Sequence, residues 1–156
     1  MRVVFFISAV MLAAGCGASL IPGTQVDDTA ANRSVYDVIE GYREGMETQN
    51  RDRIAGLISR QYYENSSTTD TTADDYGYEE LVQQVLPKLL DNIKHVQYRI
   101  QVRRIEVDGN RAIAEYEYFY KFQYAEGGRE RWISRNDFNR LDLVFEEGSW
   151  KIVAGL

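Results

Sequence analysis

Apolar residues recur at helical spacing in the first part of the chain. The series is Val35, Val38, Ile39, Tyr42 and Met46. This spacing predicts an amphipathic helix from Ser34, which can cap it, to about Thr48. A shorter helix is expected after Asn50, another good capping residue, and a third from about Tyr78 to Asn92. Pro87 predicts a kink or a break in the third helix because its ring removes a backbone donor.

After residue 95 the pattern changes from helical spacing to alternation, which is typical of half-buried strands. Residues typical of tight turns separate the predicted strands at Asp108-Gly109-Asn110, at Gly127-Gly128 and at 146–149. Three helices followed by about four long strands with short turns predict an α+β domain with an antiparallel meander.

The second long strand has an unusual face. Five consecutive same-face positions, from Tyr116 to Tyr124, are aromatic. Three interpretations stay open: the rings pack on the helices as core, form a dimer or partner interface, or line an apolar ligand pocket. The candidate pocket or interface residues are Tyr42, Tyr62, Tyr116, Tyr118, Tyr120, Trp132 and His95.

The first fifteen residues have the layout of a secretory signal peptide. Arg2 is followed by an uncharged, largely apolar run and then by small residues up to Gly15. A helix that crosses the hydrocarbon core needs roughly twenty apolar residues, so this run favours a cleaved signal over a permanent span.

The segment Leu12-Ala13-Ala14-Gly15-Cys16 resembles the bacterial lipobox, with Ala13 at the position where Leu is common. The resemblance implies that Cys16 receives a diacylglyceryl group and further acyl chains such as palmitate. Cys16 is the only cysteine of the chain, so it has no internal disulfide partner. Because two or more acyl chains anchor a protein stably, we expect attachment to the membrane through Cys16. Gly17 favours the outer membrane, facing the periplasm, if the cell is Gram-negative.

These patterns predict three parts: a signal peptide over 1–15, a lipidated N-terminus and flexible linker over 16–33, and one folded domain over 34–156. The formal net charge is −6 and falls to −7 when the segment with Arg2 is removed. An acidic chain without a dense basic cluster gains little from phosphate counterion release, which argues against nucleic acid as a partner.

Candidate acid–base chemistry is sparse. His95 is the only histidine and lies where the third helix meets the first strand, a position that also suits a helix-end residue. Asp142, Asp137 and Glu115 lie in alternating strands, where exposure to solvent is the ordinary outcome. Neither paired metal ligands nor a phosphate-binding glycine loop occurs in the sequence, so no cofactor or metal is predicted.

Two regions resemble the nuclear transport factor 2-like (NTF2-like) superfamily, including its SnoaL-like domains. They are the early helix pair, with 42–46 and 54–58, and the closing hairpin that runs from 139–145 into Gly148-Ser149-Trp150-Lys151-Ile152-Val153. The resemblance covers roughly residues 34–156. It implies a strongly curved sheet wrapped around the helices as a cone, with a pocket at the open end and frequent dimerisation through the sheet.

The superfamily includes enzymes and proteins without a known reaction, so the fold alone does not supply a function. The sequence favours a tethered, non-catalytic binding or interaction module of the bacterial cell envelope, with a homodimer as one expected arrangement. The alternative is a small-molecule-binding protein or SnoaL-like enzyme that acts on an apolar molecule in the conical pocket.

Overall fold

The computed structural model describes residues 19–65, 72, 74–91, 93–126 and 129–156. The predicted signal peptide and Cys16 lie outside them, as does the predicted turn at Gly127-Gly128.

The first helix, α1, spans Ala30–Glu47 and begins four residues earlier than predicted. Its N-cap is Thr29, whose hydroxyl accepts a hydrogen bond from the Asn32 amide at 3.1 Å. Ser34 lies inside the first turns instead, and its hydroxyl accepts a hydrogen bond from the indole of Trp150 at 3.0 Å. The serine that the sequence suggested as a cap therefore joins the helix to the last strand.

Residues 19–28 form a compact turn before α1, which we call the N-terminal turn. Leu20 and Asp27 pair across it as an antiparallel bridge, and the Asp28 amide donates to the Ser19 carbonyl at 2.6 Å. Ile21 and Val26 are only 1% and 4% exposed and belong to the core. The flexible linker predicted for 16–33 therefore differs from what the structure shows from Ser19 onward, because two apolar side chains fix this segment to the domain.

The second helix, α2, spans Arg51–Gly56 and is capped by the Asn50 side chain, as predicted. The third helical segment runs without a gap through α3 (Tyr78–Glu80), a π-helical turn (Leu81–Val85) and α4 (Leu86–Asp91). The π turn ends two residues before Pro87, which has no backbone N–H to donate to the hydrogen bonds of a regular α-helix. The predicted irregularity at Pro87 thus takes the form of a widened turn.

Two short strands, β1 (Tyr63–Glu64) and β2 (Tyr76–Gly77), pair with each other. Four further strands form the main sheet in chain order: β3 (Ile93–Asp108), β4 (Arg111–Glu126), β5 (Arg129–Glu146) and β6 (Ser149–Ala154). All neighbours in it are antiparallel, which confirms the predicted meander.

The tight turns explain this chain order. Gly109 in the β3–β4 turn and Glu147 and Gly148 in the β5–β6 turn have positive φ angles, as the twist of two-residue hairpins requires. Register shifts near Val102 in β3 and Asp142 in β5 mark bulges, which bend the strands they interrupt.

The sheet has a helix-side face and an outer face. On β4 the helix-side face carries Ala112, Ala114 and Tyr116, all buried against the helices, whereas the outer face carries Ile113 and Glu115. At the other edge of the sheet, Ile58 pairs with Ile152 of β6, and backbone hydrogen bonds of 2.9 Å join 57–59 to that strand. The helices therefore pack on the helix-side face, and on that face of β4 the burial falls from Tyr116 toward Tyr124.

Candidate functional site

The tyrosines that the sequence singled out on β4 fall into two environments. Tyr116 is only 1% exposed and belongs to the core, whereas Tyr118 and Tyr120 on the same face are half-buried. Tyr116 therefore belongs to the core, and for the half-buried rings the interface and pocket interpretations both stay predictions.

The buried part is a cluster of hydroxyl groups inside the domain. Tyr42 of α1 meets Tyr98 of β3 edge to face, with 5.9 Å between ring centroids. Asn139 of β5 donates from its amide to the Tyr116 hydroxyl at 3.1 Å and to the Gly155 carbonyl at 2.9 Å. The Asn139 amide and the Tyr116 hydroxyl are therefore hydrogen-bonded although they lie inside the domain, as buried polar groups generally are.

Tyr62 lies where β1 and β2 meet residues 155 and 156. Its hydroxyl donates to Glu64 at 3.3 Å and accepts from the Leu156 amide at 3.2 Å, while the Gly155 amide donates to Glu64 at 3.0 Å. Gly155 has φ +96°, and an added Cβ would lie 2.0 Å from the Arg140 carbonyl oxygen. Residues 155 and 156 therefore fill the space between β1, β2 and β5.

The half-buried part is a row of aromatic rings that continues along the helix-side face past Tyr116. We call Tyr118, Tyr120, Phe122 and Tyr124 the aromatic row. Neighbouring ring centroids along it are 6.0, 5.3 and 6.1 Å apart, and the first pair is stacked at 13°. All four rings are half-buried, so each leaves part of its surface open to solvent.

Strand β5 forms one rim of the aromatic row. Asp137, Arg135, Ile133 and Arg131 pair with the four rings in register and so lie on the same face. All four side chains are exposed. A ligand lying on the rings would meet three charged groups and one apolar group, Ile133, along this side.

Burial dominates the titration of the tyrosines. Loss of water around Tyr42 raises its pKa to about 12, and the same cause raises the pKa of Tyr98, Tyr116 and Tyr62 further. The pKa of Tyr118 is also raised, chiefly by burial and then by the nearby Asp137. Such hydroxyls stay protonated at neutral pH and can donate a hydrogen bond, but they are poor general bases.

These raised pKa values predict a loss of stability in alkaline solution. Tyrosines of the unfolded chain lose their protons near pH 10, whereas the folded chain holds them to higher pH, so the free energy of unfolding falls as the pH rises above about 10. Tyr42 alone contributes a slope of about 1.4 kcal/mol per pH unit between its unfolded pKa and its folded value of about 12. Urea midpoints for the protein and for Tyr42→Phe test this, since the variant should show the shallower pH dependence. If the stability of the protein and of Tyr42→Phe fell equally steeply with pH, the raised pKa of Tyr42 would be contradicted.

His95 and Trp132, both proposed as pocket residues, lie on the outer face, away from the aromatic row. His95 of β3 pairs with Gln123, and so does Trp132 of β5. Both side chains are exposed, and Lys121 sits 4.8 Å above the indole ring. Their placement on this face suits an interface and separates them from the tyrosines on the helix side.

The described residues include few groups suited to acid–base or metal chemistry. Apart from tyrosines, the only fully buried polar side chain among them is that of Ser59. Its hydroxyl accepts a hydrogen bond from the backbone amide of Gln61 at 3.1 Å. Within the same ranges no three His, Cys, Asp or Glu side chains converge as a metal site would need. No helix in the described part of the chain is long and apolar enough to cross a bilayer.

Sequence reasoning missed three residues of this site. Tyr98 was assigned to a strand but not to the cluster, and neither Asn139 nor Glu64 was proposed at all. Tyr98 could have been found, because it alternates with Ile100 and Val102 on the buried face of β3. Asn139 meets the Gly155 carbonyl, and Glu64 meets the Gly155 amide, only through contacts between distant parts of the chain.

No protein-family model matches the chain, and no curated protein matches its sequence. Solved structures do share its fold. A proposed dehydratase of the NTF2-like family from Streptomyces avermitilis superposes with a TM-score of 0.64 at 11% identity, over 80% of this chain and 92% of that one.

Two further solved structures are similar. A proposed aromatic ring hydroxylase from Novosphingobium aromaticivorans gives a TM-score of 0.63 at 12% identity, over 79% of this chain and 84% of the other. An NTF2-like superfamily protein from Salmonella enterica serovar Typhimurium gives 0.59 at 14% identity, over 79% and 86%. At these identities the likeness shows the fold, which is NTF2-like and α+β, as the sequence resemblance implied.

Proposed function

We propose that this chain is a lipoprotein of the bacterial cell envelope whose NTF2-like domain is a non-catalytic binding module. The aromatic row is the binding surface, and it takes an extended apolar or aromatic ligand. Cys16 carries the lipid, and Gly17 favours the outer membrane, facing the periplasm, in a Gram-negative cell.

The single observation that carries the binding role is the half-exposure of four consecutive aromatic rings. A strand face that served only the core would be buried along its length, as Ala112, Ala114 and Tyr116 are. Beyond Tyr116 the rings continue at the same spacing but are only half-buried: Tyr118, Tyr120 and Phe122 pack against the edge of the core and leave part of each ring open. Flat, stiff side chains of this kind offer contact area at a small entropic cost on binding.

A non-catalytic role is favoured by the chemistry of the interior. The buried ionisable groups described above are tyrosines with raised pKa values, which hold their protons at neutral pH. His95, the natural acid–base residue, is exposed on the outer face. An enzyme of this fold that moves a proton would need a base directed into its pocket.

The second candidate is an enzyme or carrier for a small apolar molecule. It is favoured by Glu64, whose carboxylate accepts a hydrogen bond from the Tyr62 hydroxyl at 3.3 Å and one from the Gly155 amide at 3.0 Å. It is also favoured by the printed descriptions of two structural neighbours, a proposed dehydratase and a proposed hydroxylase. In this alternative residues 155 and 156 would have to move away from Tyr62 and Glu64 before a substrate could bind there.

The binding surface is tested with an apolar fluorescent probe, 1-anilinonaphthalene-8-sulfonate. The variant Tyr120→Ala removes the ring at the centre of the aromatic row, and we expect the probe's dissociation constant to rise about two- to tenfold, the equivalent of 0.5–1.5 kcal/mol of ring contact. Titration of the probe at constant protein concentration measures it.

Tyr63→Ala is the matched control, because Tyr63 is another exposed tyrosine but lies on β1, away from the row. It should leave the dissociation constant unchanged. Equal weakening by both variants, or by neither, would contradict binding at the aromatic row. If Glu64→Gln weakened binding of the probe and Tyr120→Ala did not, the second candidate would be favoured instead.

The homodimer through the sheet stays a prediction. The outer face carries Phe119 and Phe138, which are 36% and 70% exposed and occupy neighbouring registers of β4 and β5. Apolar side chains gathered in this way are compatible with an interface between two copies.

A further inference from the structure

The N-terminal turn is the part of the domain nearest to the proposed lipid. Its Ile21 and Val26 side chains are fully buried in the core, and backbone hydrogen bonds close it at both ends. Burial of two aliphatic side chains removes apolar surface from water and so stabilises this attachment. The turn is therefore an integral part of the domain rather than a free linker.

The distance from the lipid to the domain follows from residue numbers. Ser19 is the first residue of the turn, and Cys16 lies three residues before it, since 19 minus 16 is 3. Three residues of fully extended chain reach at most roughly 10–11 Å. This reach is shorter than the thickness of the domain, so a lipid on Cys16 restricts which side of the domain meets the membrane.

The position of the turn identifies that side. Gly23, at its tip, lines a surface depression of about 400 Å³ with residues of β3 and its neighbours. The lining comprises Arg99, Ile100 and Gln101 of β3, Glu117, Tyr118 and Phe119 of β4, and Asn136 of β5. Strand β3 is the edge strand of the sheet, and β6 is the opposite edge. Leu20 of the same turn is 49% exposed, an apolar side chain placed beside the tether.

One cation of β3 is open to a membrane surface. The strand carries four basic residues, Lys94, Arg99, Arg103 and Arg104, and two acidic ones, Glu106 and Asp108, and further carboxylates on β4 and β5 lie beside it. Lys94, Arg103 and Arg104 are engaged in ion pairs with carboxylates. Arg99, beside Gly23, has no ion pair among the residues that the structure describes, and an anionic headgroup can pair with it.

We propose that the domain lies against the bilayer in a fixed orientation, with the N-terminal turn and the β3 edge facing the lipid headgroups and the β6 edge pointing away. This inference rests on the proposed lipidation of Cys16. The partner is the anionic bilayer surface itself, met by the exposed Leu20 and by Arg99.

Lipid-attached fluorescence quenching tests the orientation. The lipidated protein is purified from membranes and reconstituted into vesicles of phosphatidylethanolamine and phosphatidylglycerol that contain a lipid with a nitroxide on its headgroup. A bimane label is placed by Gln101→Cys on β3 or by Ser149→Cys on β6, both exposed positions. Three strand spacings, roughly 14 Å, separate the two edges, so we expect quenching at position 101 to be at least about twofold stronger.

A longer tether is the matched control. A flexible insert of about twelve Gly and Ser residues between Ala18 and Ser19 has an end-to-end distance of roughly 20 Å and should remove the difference between the two positions. Arg99→Gln should reduce quenching at position 101 in the anionic vesicles without releasing the protein.

The outcomes separate the two proposals. Vesicle-bound protein with equal quenching at both positions overturns the orientation and leaves lipidation intact. Protein that fails to sediment with the vesicles overturns lipidation, and the orientation with it. Stronger quenching at position 149 would mean that the opposite edge faces the membrane.

Discussion

Tyr116→Ala is expected to lower the free energy of unfolding by about 3–5 kcal/mol, the range for truncating a fully buried aromatic side chain. Tyr116 is 1% exposed, packs against the Tyr118 ring at an angle of 58° and accepts a hydrogen bond from Asn139. Its removal leaves a cavity in the core and an amide with one partner fewer. Tyr120→Ala, on the same face of the same strand, should cost less than about 1.5 kcal/mol because its ring is already partly in water.

Urea unfolding, followed by far-ultraviolet circular dichroism, measures both variants under one set of conditions. Tyr116→Phe divides the loss into its parts: it keeps the ring and removes the hydroxyl, so we expect about 1 kcal/mol. If Tyr116→Ala and Tyr120→Ala were equally destabilising, the division of β4 into a core part and an accessible part would be wrong.

Cys16→Ser is expected to abolish lipid labelling of the protein and to move it from the membrane fraction to the soluble fraction of the envelope. A serine hydroxyl lacks the nucleophilic sulfur that accepts the diacylglyceryl group, and the chain has no second cysteine. Because two or more acyl chains anchor a protein almost irreversibly, the expected change is close to complete rather than graded.

The measurement is growth with an alkyne fatty-acid analogue, followed by coupling to a fluorophore and by separation of membranes from soluble protein. Ala18→Ser is the control, since it changes a neighbouring small residue and leaves the sulfur in place. Labelling that persists in Cys16→Ser would exclude Cys16 as the lipidation site.

Local patterns were sufficient for most of the secondary structure. Alternation along β3, β4 and β5 and the turn residues at Gly109 and Gly148 predicted an antiparallel meander, which the structure confirms. Asn50 was a correct N-cap, because the polar side chain and the amide that it caps lie within three residues of each other. Features determined within a few residues are the ones that a sequence reveals.

Contacts between distant residues set the limits of prediction. The period of two placed Tyr116 and Tyr120 on one face, but it does not tell how far the helices reach along that face. Ile21 and Val26 are isolated apolar residues in a polar stretch, so nothing periodic indicated that they enter the core. Asn139 and Gly155 likewise meet only after the sheet has formed.

The chain order of the sheet has a consequence for the kinetics of folding. Each long strand pairs with its immediate neighbour in sequence through a short connection, so the meander can assemble by successive local hairpins with little loop-closure entropy. The link between residues 57–59 and β6 is different, because it spans more than half of the chain. We expect that contact to form after the transition state, so that weakening it accelerates unfolding while the folding rate stays nearly constant.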